Sequence, residues 1–190
     1  MKRVFFAVPV VALFATVAFS QMPAGGKTTL ATSLQRNYAG LKANLTQEAE
    51  KMPEADYSFK PGSTPEARTF AQVIAHIAQS QLGTCSALKG TPNPMAGKNL
   101  EQELKTKAEV TKALADSFAL CDEAFASVTD ANATEFVKVG QNELTRVAVL
   151  YGLIAHGNEI YGTGAVYLRS KNIVPPSTER AMQGRGRGNN

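Results

Sequence analysis

Two histidines and two cysteines are the residues with the widest chemical use in this chain of 190 residues. A closed zinc site built only from imidazole and thiolate ligands would need all four of them at one point. A catalytic thiol is not favoured, because no histidine adjoins either cysteine in sequence and no basic cluster stands nearby to lower its pKa. The sequence therefore predicts no catalytic residue.

The two histidines occupy different predicted helices. His76 lies about 60° from the apolar residue Val73 on a helical wheel, beside the hydrophobic stripe of its helix. His156 lies in the middle of the last long apolar pattern. A histidine at such a position is either a hydrogen-bonded structural residue or a metal ligand, and the residues alone leave both interpretations open.

Cys85 falls on the apolar face of the predicted helix that contains His76, and Cys121 falls on the apolar face of the next helix; they are the only two cysteines. A disulfide between the two helices is one interpretation, and two separate buried thiols are the other. The spacing does not decide between them.

Four stretches of apolar residues at three- and four-residue spacing predict four helices. Their expected limits are 28–51, 64–90, 99–128 and 142–172. No alternating pattern indicates a strand, so the expected fold is all-α, a four-helix bundle. The last helix contains four glycines, and these predict either close helix contact or room for a ligand.

The first twenty residues have the features of a secretory signal peptide. Lys2 and Arg3 precede the apolar run Val4–Phe19, and small residues flank Phe19 as in an A-x-A-like cleavage site. We therefore expect a mature chain that begins at Gln21, in the periplasm or secreted, with no membrane span after cleavage. Removing the two cations lowers the net charge of +4 by two, to +2, and no basic stripe with interleaved aromatics predicts nucleic-acid binding.

This organisation divides the chain into four segments. They are a signal peptide at 1–20, a flexible entry at 21–27, a bundle at 28–178 and a disordered tail at 179–190.

Three segments of the sequence resemble the DinB family, the DinB/YfiT-like four-helix bundles. The stretch from Tyr161 to Ser177 contains YG, YLR and IVPPS, which resemble the end of the family's last helix. Residues 68–78, which include a histidine, and residues 52–61 resemble the family's second helix and the segment before it. The resemblance extends over residues 28–178.

The resemblance implies a divalent metal, zinc or nickel, held by three histidines. One comes from the second helix and two from an H-x-x-x-H pair on the last helix. His76 and His156 match two of these positions, whereas Ile160 occupies the third. An alkyl group cannot coordinate a metal, so the site is degenerate, and Glu159 is the available substitute ligand.

Two function classes follow from the resemblance. The first is an exported, non-catalytic bundle that binds a small ligand or a partner protein, with a homodimer left open. The second is a divalent-metal-dependent hydrolase or thiol transferase of the DinB/YfiT type, against which the missing third histidine argues.

Overall fold

The computed structural model describes residues 27–187 of the chain. Its elements are α1 (Leu30–Lys51), a 3-10 turn (Glu54–Asp56), α2 (Phe70–Lys89), α3 (Leu100–Glu103), α4 (Lys107–Ala126), β1 (Phe136–Val139), β2 (Asn142–Thr145), α5 (Arg146–Ser170) and α6 (Pro176–Arg187). The four long helices α1, α2, α4 and α5 form a bundle, which confirms the predicted all-α fold class. None of the helices within the described range is long and apolar enough to cross a membrane.

Two pairs of helices in the bundle are parallel. The Ser117 hydroxyl of α4 donates a hydrogen bond of 2.8 Å to the Gln81 side chain of α2, and four residues further along both helices Cys85 meets Cys121. Helices α1 and α5 are also parallel, because Gly157 and Gly164 contact residues of α1 that are likewise seven positions apart.

The other neighbouring helices are antiparallel. The Tyr38 hydroxyl of α1 donates to the Phe118 carbonyl of α4, whereas the later carbonyl of Met52 accepts from Lys107 at the start of α4. The Tyr167 hydroxyl, near the end of α5, donates to the Arg68 carbonyl just before α2. The helices therefore run up, down, down and up, and residues 90–106 form a crossover that returns along the bundle from α2 to α4.

The second helix begins at Phe70, so the prediction that it follows Thr64 is wrong. Thr69 and Gln72 form a capping box, in which each side chain accepts from the other residue's backbone N–H. The backbone N–H of Phe70 also donates to the carbonyl of Phe59, which holds the preceding chain against the first turn of α2.

The predicted third helix is split in two. The short α3 ends at Glu103, and α4 starts after a second capping box formed by Thr106 and Glu109. The backbone hydrogen bonds that the Glu109 carboxylate accepts from Thr106 and Lys105 hold its pKa below the usual range. This cap gives α4 its own start and breaks the apolar period that suggested one continuous helix.

A two-stranded antiparallel hairpin precedes α5, so the prediction that no strand occurs and that the last helix begins at Asn142 is wrong. Val139 pairs with Asn142 across a two-residue turn, in which Gly140 has a φ of 62°. A turn of this kind favours glycine because it needs a left-handed backbone conformation.

The C-terminal segment forms α6, which differs from the predicted disordered tail at 179–190 for the residues up to 187. Lys51 and Glu179 form an ion pair of 3.1 Å, and Arg180 donates hydrogen bonds to Asn44 and Gln47 of α1. The predicted signal peptide, the start at Gln21 and all of the flexible entry except Lys27 lie outside the described residues.

Two of the four glycines of the last helix lie in close helix contact. A Cβ atom at Gly157 would overlap the side chain of Leu41, and one at Gly164 would lie 2.5 Å from a carboxylate oxygen of Glu48. Gly152 and Gly162 have nothing within 4 Å of such an atom. The close-contact interpretation therefore applies to the two glycines that face α1.

The two cysteines are joined in a disulfide between α2 and α4, with their Cα atoms 5.2 Å apart. This separation lies inside the range of about 4.4–6.8 Å that a disulfide requires. The bridge therefore ties together the two parallel helices that the crossover connects.

Candidate histidine site

His76 of α2 and His156 of α5 meet on the surface between the two antiparallel helices. Their ring centroids are 5.2 Å apart, and the rings are arranged edge to face. Both side chains are about one-third exposed, at 28% and 32%. The structure thus brings together the two imidazoles that the sequence singled out from segments 80 residues apart.

A carboxylate from the crossover orients His76. Glu101 Oε1 lies 2.6 Å from His76 Nδ1, and Glu101 Oε2 accepts a hydrogen bond of 2.7 Å from Arg68 Nε. Partial burial acts to raise the pKa of the Glu101 carboxyl, but the hydrogen bonds and charges of Arg68 and His76 outweigh it and hold that pKa below its usual range. The carboxylate therefore stays ionised at neutral pH.

This contact fixes the tautomer of neutral His76. An ionised carboxylate has no proton to donate, so the His76 Nδ1 must carry the proton and donate to Glu101. The lone pair of the neutral ring then lies on Nε2. A carboxylate that accepts from one imidazole nitrogen is the usual support of a metal-ligating histidine.

The remaining predicted site residues do not complete a metal site. Ile160 is only 6% exposed and lies in the core one helical turn beyond His156, where it offers an alkyl group. The Glu159 carboxylate is 76% exposed and lies 3.6 Å from His156 Nδ1. Within residues 27–187, no three histidine, cysteine, aspartate or glutamate side chains converge so that they could hold a metal ion. The arrangement does not fit a metal with three protein ligands.

A cleft of about 350 Å³ opens beside His76. Residues of α2 form one wall, and Asn93 of the crossover and Gly140 of the hairpin turn form the others. Sequence reasoning missed Glu101 as a neighbour of His76, because only the path of the crossover brings α3 against α2. It also missed Arg68, which lies just before α2 and contacts Glu101. The one signal in the sequence was the presence of an arginine in the segment that resembles the family's second helix.

A family model described as the DinB superfamily matches residues 38–159 of the chain. The match covers more than half of the chain, which belongs to this superfamily. The matched region ends before the Tyr161–Ser177 stretch that carried much of the resemblance in the sequence.

Solved structures of other proteins share the fold. A DinB-like protein from Bacillus cereus ATCC 10987 has a TM-score of 0.60 at 14% identity, covering 75% of this chain and 93% of its own. A DinB-like protein from Bacillus subtilis has a TM-score of 0.56 at 16% identity, covering 74% of this chain and 92% of its own. No curated protein matches the chain significantly.

A mutant of a mycothiol-dependent maleylpyruvate isomerase is also similar in structure, with a TM-score of 0.53 at 14% identity. The similar region covers 70% of this chain and 63% of the isomerase chain. At such identities the likeness shows the fold alone, and function must be argued from the site.

Proposed function

We propose that the protein is an exported, non-catalytic bundle of the DinB type that binds a small ligand or a partner protein. Its histidine site holds zinc or nickel weakly or not at all. The observation that carries this proposal is the buried alkyl side chain of Ile160 at the position where the family has its third histidine. The chain has kept the scaffold that positions the imidazoles and lacks the ligand that would complete the site.

The ligand count supports weak binding. A catalytic zinc site normally has three protein ligands and one open position, whereas this site offers two imidazoles. The nearest half-buried carboxylate, Glu101, already accepts from Arg68 and contacts His76. The exposed Glu159 carboxylate would have to give up its hydration to bind the metal.

Replacing Ile160 by histidine should strengthen zinc binding by roughly a hundredfold or more, because a full set of protein ligands is a large part of zinc affinity. The new imidazole would lie one helical turn after His156. Calorimetric titration with zinc chloride measures the zinc affinity of the Ile160→His variant and of the unmodified protein. Ile154→His is the matched control, since Ile154 is also buried in α5 but lies two positions before His156. Equal zinc affinity in the Ile160 variant and the unmodified protein would contradict this account.

A divalent-metal-dependent hydrolase or thiol transferase is the second candidate. It is favoured by the support that Glu101 gives His76, an arrangement typical of metal-binding histidines. Stoichiometric, tight zinc binding by the unmodified protein, lost in His156→Ala, would support this candidate against the first.

Export is the second part of the proposal and is tested independently. The mature protein should begin at Gln21, because the n-region, apolar run and small residues before that position form a cleavage signal. Intact-mass measurement of protein recovered from the periplasm or the medium gives the answer. A mass that still includes Met1–Ser20 would contradict cleavage.

A further inference from the structure

The crossover covers a second cavity, on a different face of α2 from the histidines. It has a volume of about 650 Å³, within the range of small-molecule sites. Its walls are mainly apolar and come from α2, α4 and the crossover. The lining includes Leu82, Ser86, Met95, Leu100, Ala113 and Leu120.

Two hydrogen bonds fasten the crossover over this cavity. The backbone N–H of Thr91 donates to the Ser86 carbonyl, and the backbone N–H of Leu100 donates to the Gln79 side chain of α2. The floor is held by the disulfide between α2 and α4, one residue before Ser86. The cavity is therefore framed by fixed elements, as preformed ligand sites are.

Ser86 provides an unpaired polar group in this apolar setting. Ser86 is one of the residues that line the cavity and is 1% exposed, and its buried hydroxyl has no hydrogen-bond partner among the described residues. Buried hydroxyls nearly always have a partner, and a helical serine commonly donates to a carbonyl of its own helix. Because the Ser86 oxygen is buried in this conformation, a hydrogen bond to a molecule in the cavity requires the side chain to rotate toward it.

Most charged groups at the rim of the cavity have a partner, either another side chain or a backbone N–H group. Lys112 forms an ion pair of 2.6 Å with Asp116, and the Glu109 carboxylate accepts from the backbone N–H groups of Lys105 and Thr106. Glu103 accepts from the backbone N–H of Asn99. The rim carries three carboxylates and only two ammonium groups, those of Lys98 and Lys112. Its net charge is therefore negative, and it does not attract an anion.

We propose that this cavity binds an uncharged, mainly apolar small molecule with one hydroxyl or carbonyl group, which pairs with the Ser86 hydroxyl. An apolar ligand body fits the leucine, methionine and alanine side chains of the walls, where a charged one would lose its hydration without gaining a partner. The inference does not depend on the histidine site, because none of the residues that line this cavity belongs to it.

The test is a titration of the purified chain with 2-naphthol, followed by two-dimensional ¹H–¹⁵N NMR. We expect saturable shifts that cluster in residues 82–86, 94–104 and 113–120, and weaker binding of the anion 2-naphthoate. Ala113→Phe fills the cavity and should abolish binding. Ala87→Phe is the matched control, because Ala87 is likewise a helical alanine but belongs to α2 and lines the histidine cleft.

Ser86→Ala tests the polar contact without adding bulk. It should weaken 2-naphthol binding about two- to tenfold, the scale of one neutral hydrogen bond. The proposal is overturned by the absence of saturable shifts, by shifts that cluster around His76, by unchanged binding in Ala113→Phe, or by tighter binding of 2-naphthoate than of 2-naphthol.

Discussion

Glu48→Gln should remove a large pH dependence from the stability of the protein, making the variant more stable by roughly 4–5 kcal/mol at pH 8 and about equally stable at pH 4. Glu48 is completely buried in α1, and neither of its carboxyl oxygens has a hydrogen-bond partner within the described chain. Burial raises the pKa of this carboxyl from its ordinary value of 4.5 to about 9.

The number of protons bound by the folded and unfolded states sets the direction in which the stability changes with pH. The unfolded chain releases this proton near pH 4.5, whereas the folded protein keeps it up to about pH 9. Between these values the folded state binds more protons, so the free energy of unfolding falls as the pH rises, by about 1.4 kcal/mol per pH unit. The stability is complete below pH 4.5 and is lost toward pH 9. A glutamine cannot ionise, so this loss disappears.

Urea unfolding of both proteins across pH 4 to 9 measures the effect. Glu50→Gln is the matched control, because Glu50 belongs to the same helix but is exposed. The control should keep the pH slope of the unmodified protein. An unchanged slope in Glu48→Gln would show that Glu48 finds a partner or water in solution.

Removing the disulfide should lower the free energy of unfolding by the second largest amount. Cys85 and Cys121 are 36 residues apart, and the loss of a loop closure of that length costs about 4 kcal/mol in the chain-entropy model. The Cys85→Ala and Cys121→Ala double variant should therefore unfold at much lower urea concentration than the oxidised protein. Adding dithiothreitol should destabilise the unmodified protein and leave the double variant unchanged.

Thiol labelling of denatured, unreduced protein checks the bridge itself. We expect no reactive thiol before reduction and two after it. Two labelled thiols in the unreduced protein would contradict the bridge and remove the reason for the stability difference.

The sequence predicts the long helices well because each has an apolar face at helical spacing. The limits of these helices depend on local caps, and Thr69 and Thr106 each compete with an equally plausible upstream cap. The hairpin escapes prediction because its strands have four residues each and lie mostly exposed, without an alternation of apolar and polar residues.

The residues of the candidate site also fall into those that the sequence predicts and those that only the structure reveals. The resemblance to a family singles out His76, His156 and Ile160, because it implies that these positions correspond to the family's three ligand positions. Glu101 comes from a four-residue helix in the crossover, and its contact with His76 depends on the path of that segment in space. Glu48 continues the stripe of Leu41 and Leu45 at helical spacing, but a carboxyl side chain at such a position is ordinarily placed at the surface.

Metal analysis of the purified protein is the direct test of whether the histidine site holds a metal ion. The protein is purified without chelators or an affinity tag that binds metal, and its zinc and nickel contents per chain are measured by mass spectrometry. We expect contents well below one ion per chain, because Ile160, at the position where the family resemblance implies a third ligand, is a buried alkyl side chain. One tightly held ion per chain, present in the unmodified protein and absent from His156→Ala, would contradict this expectation.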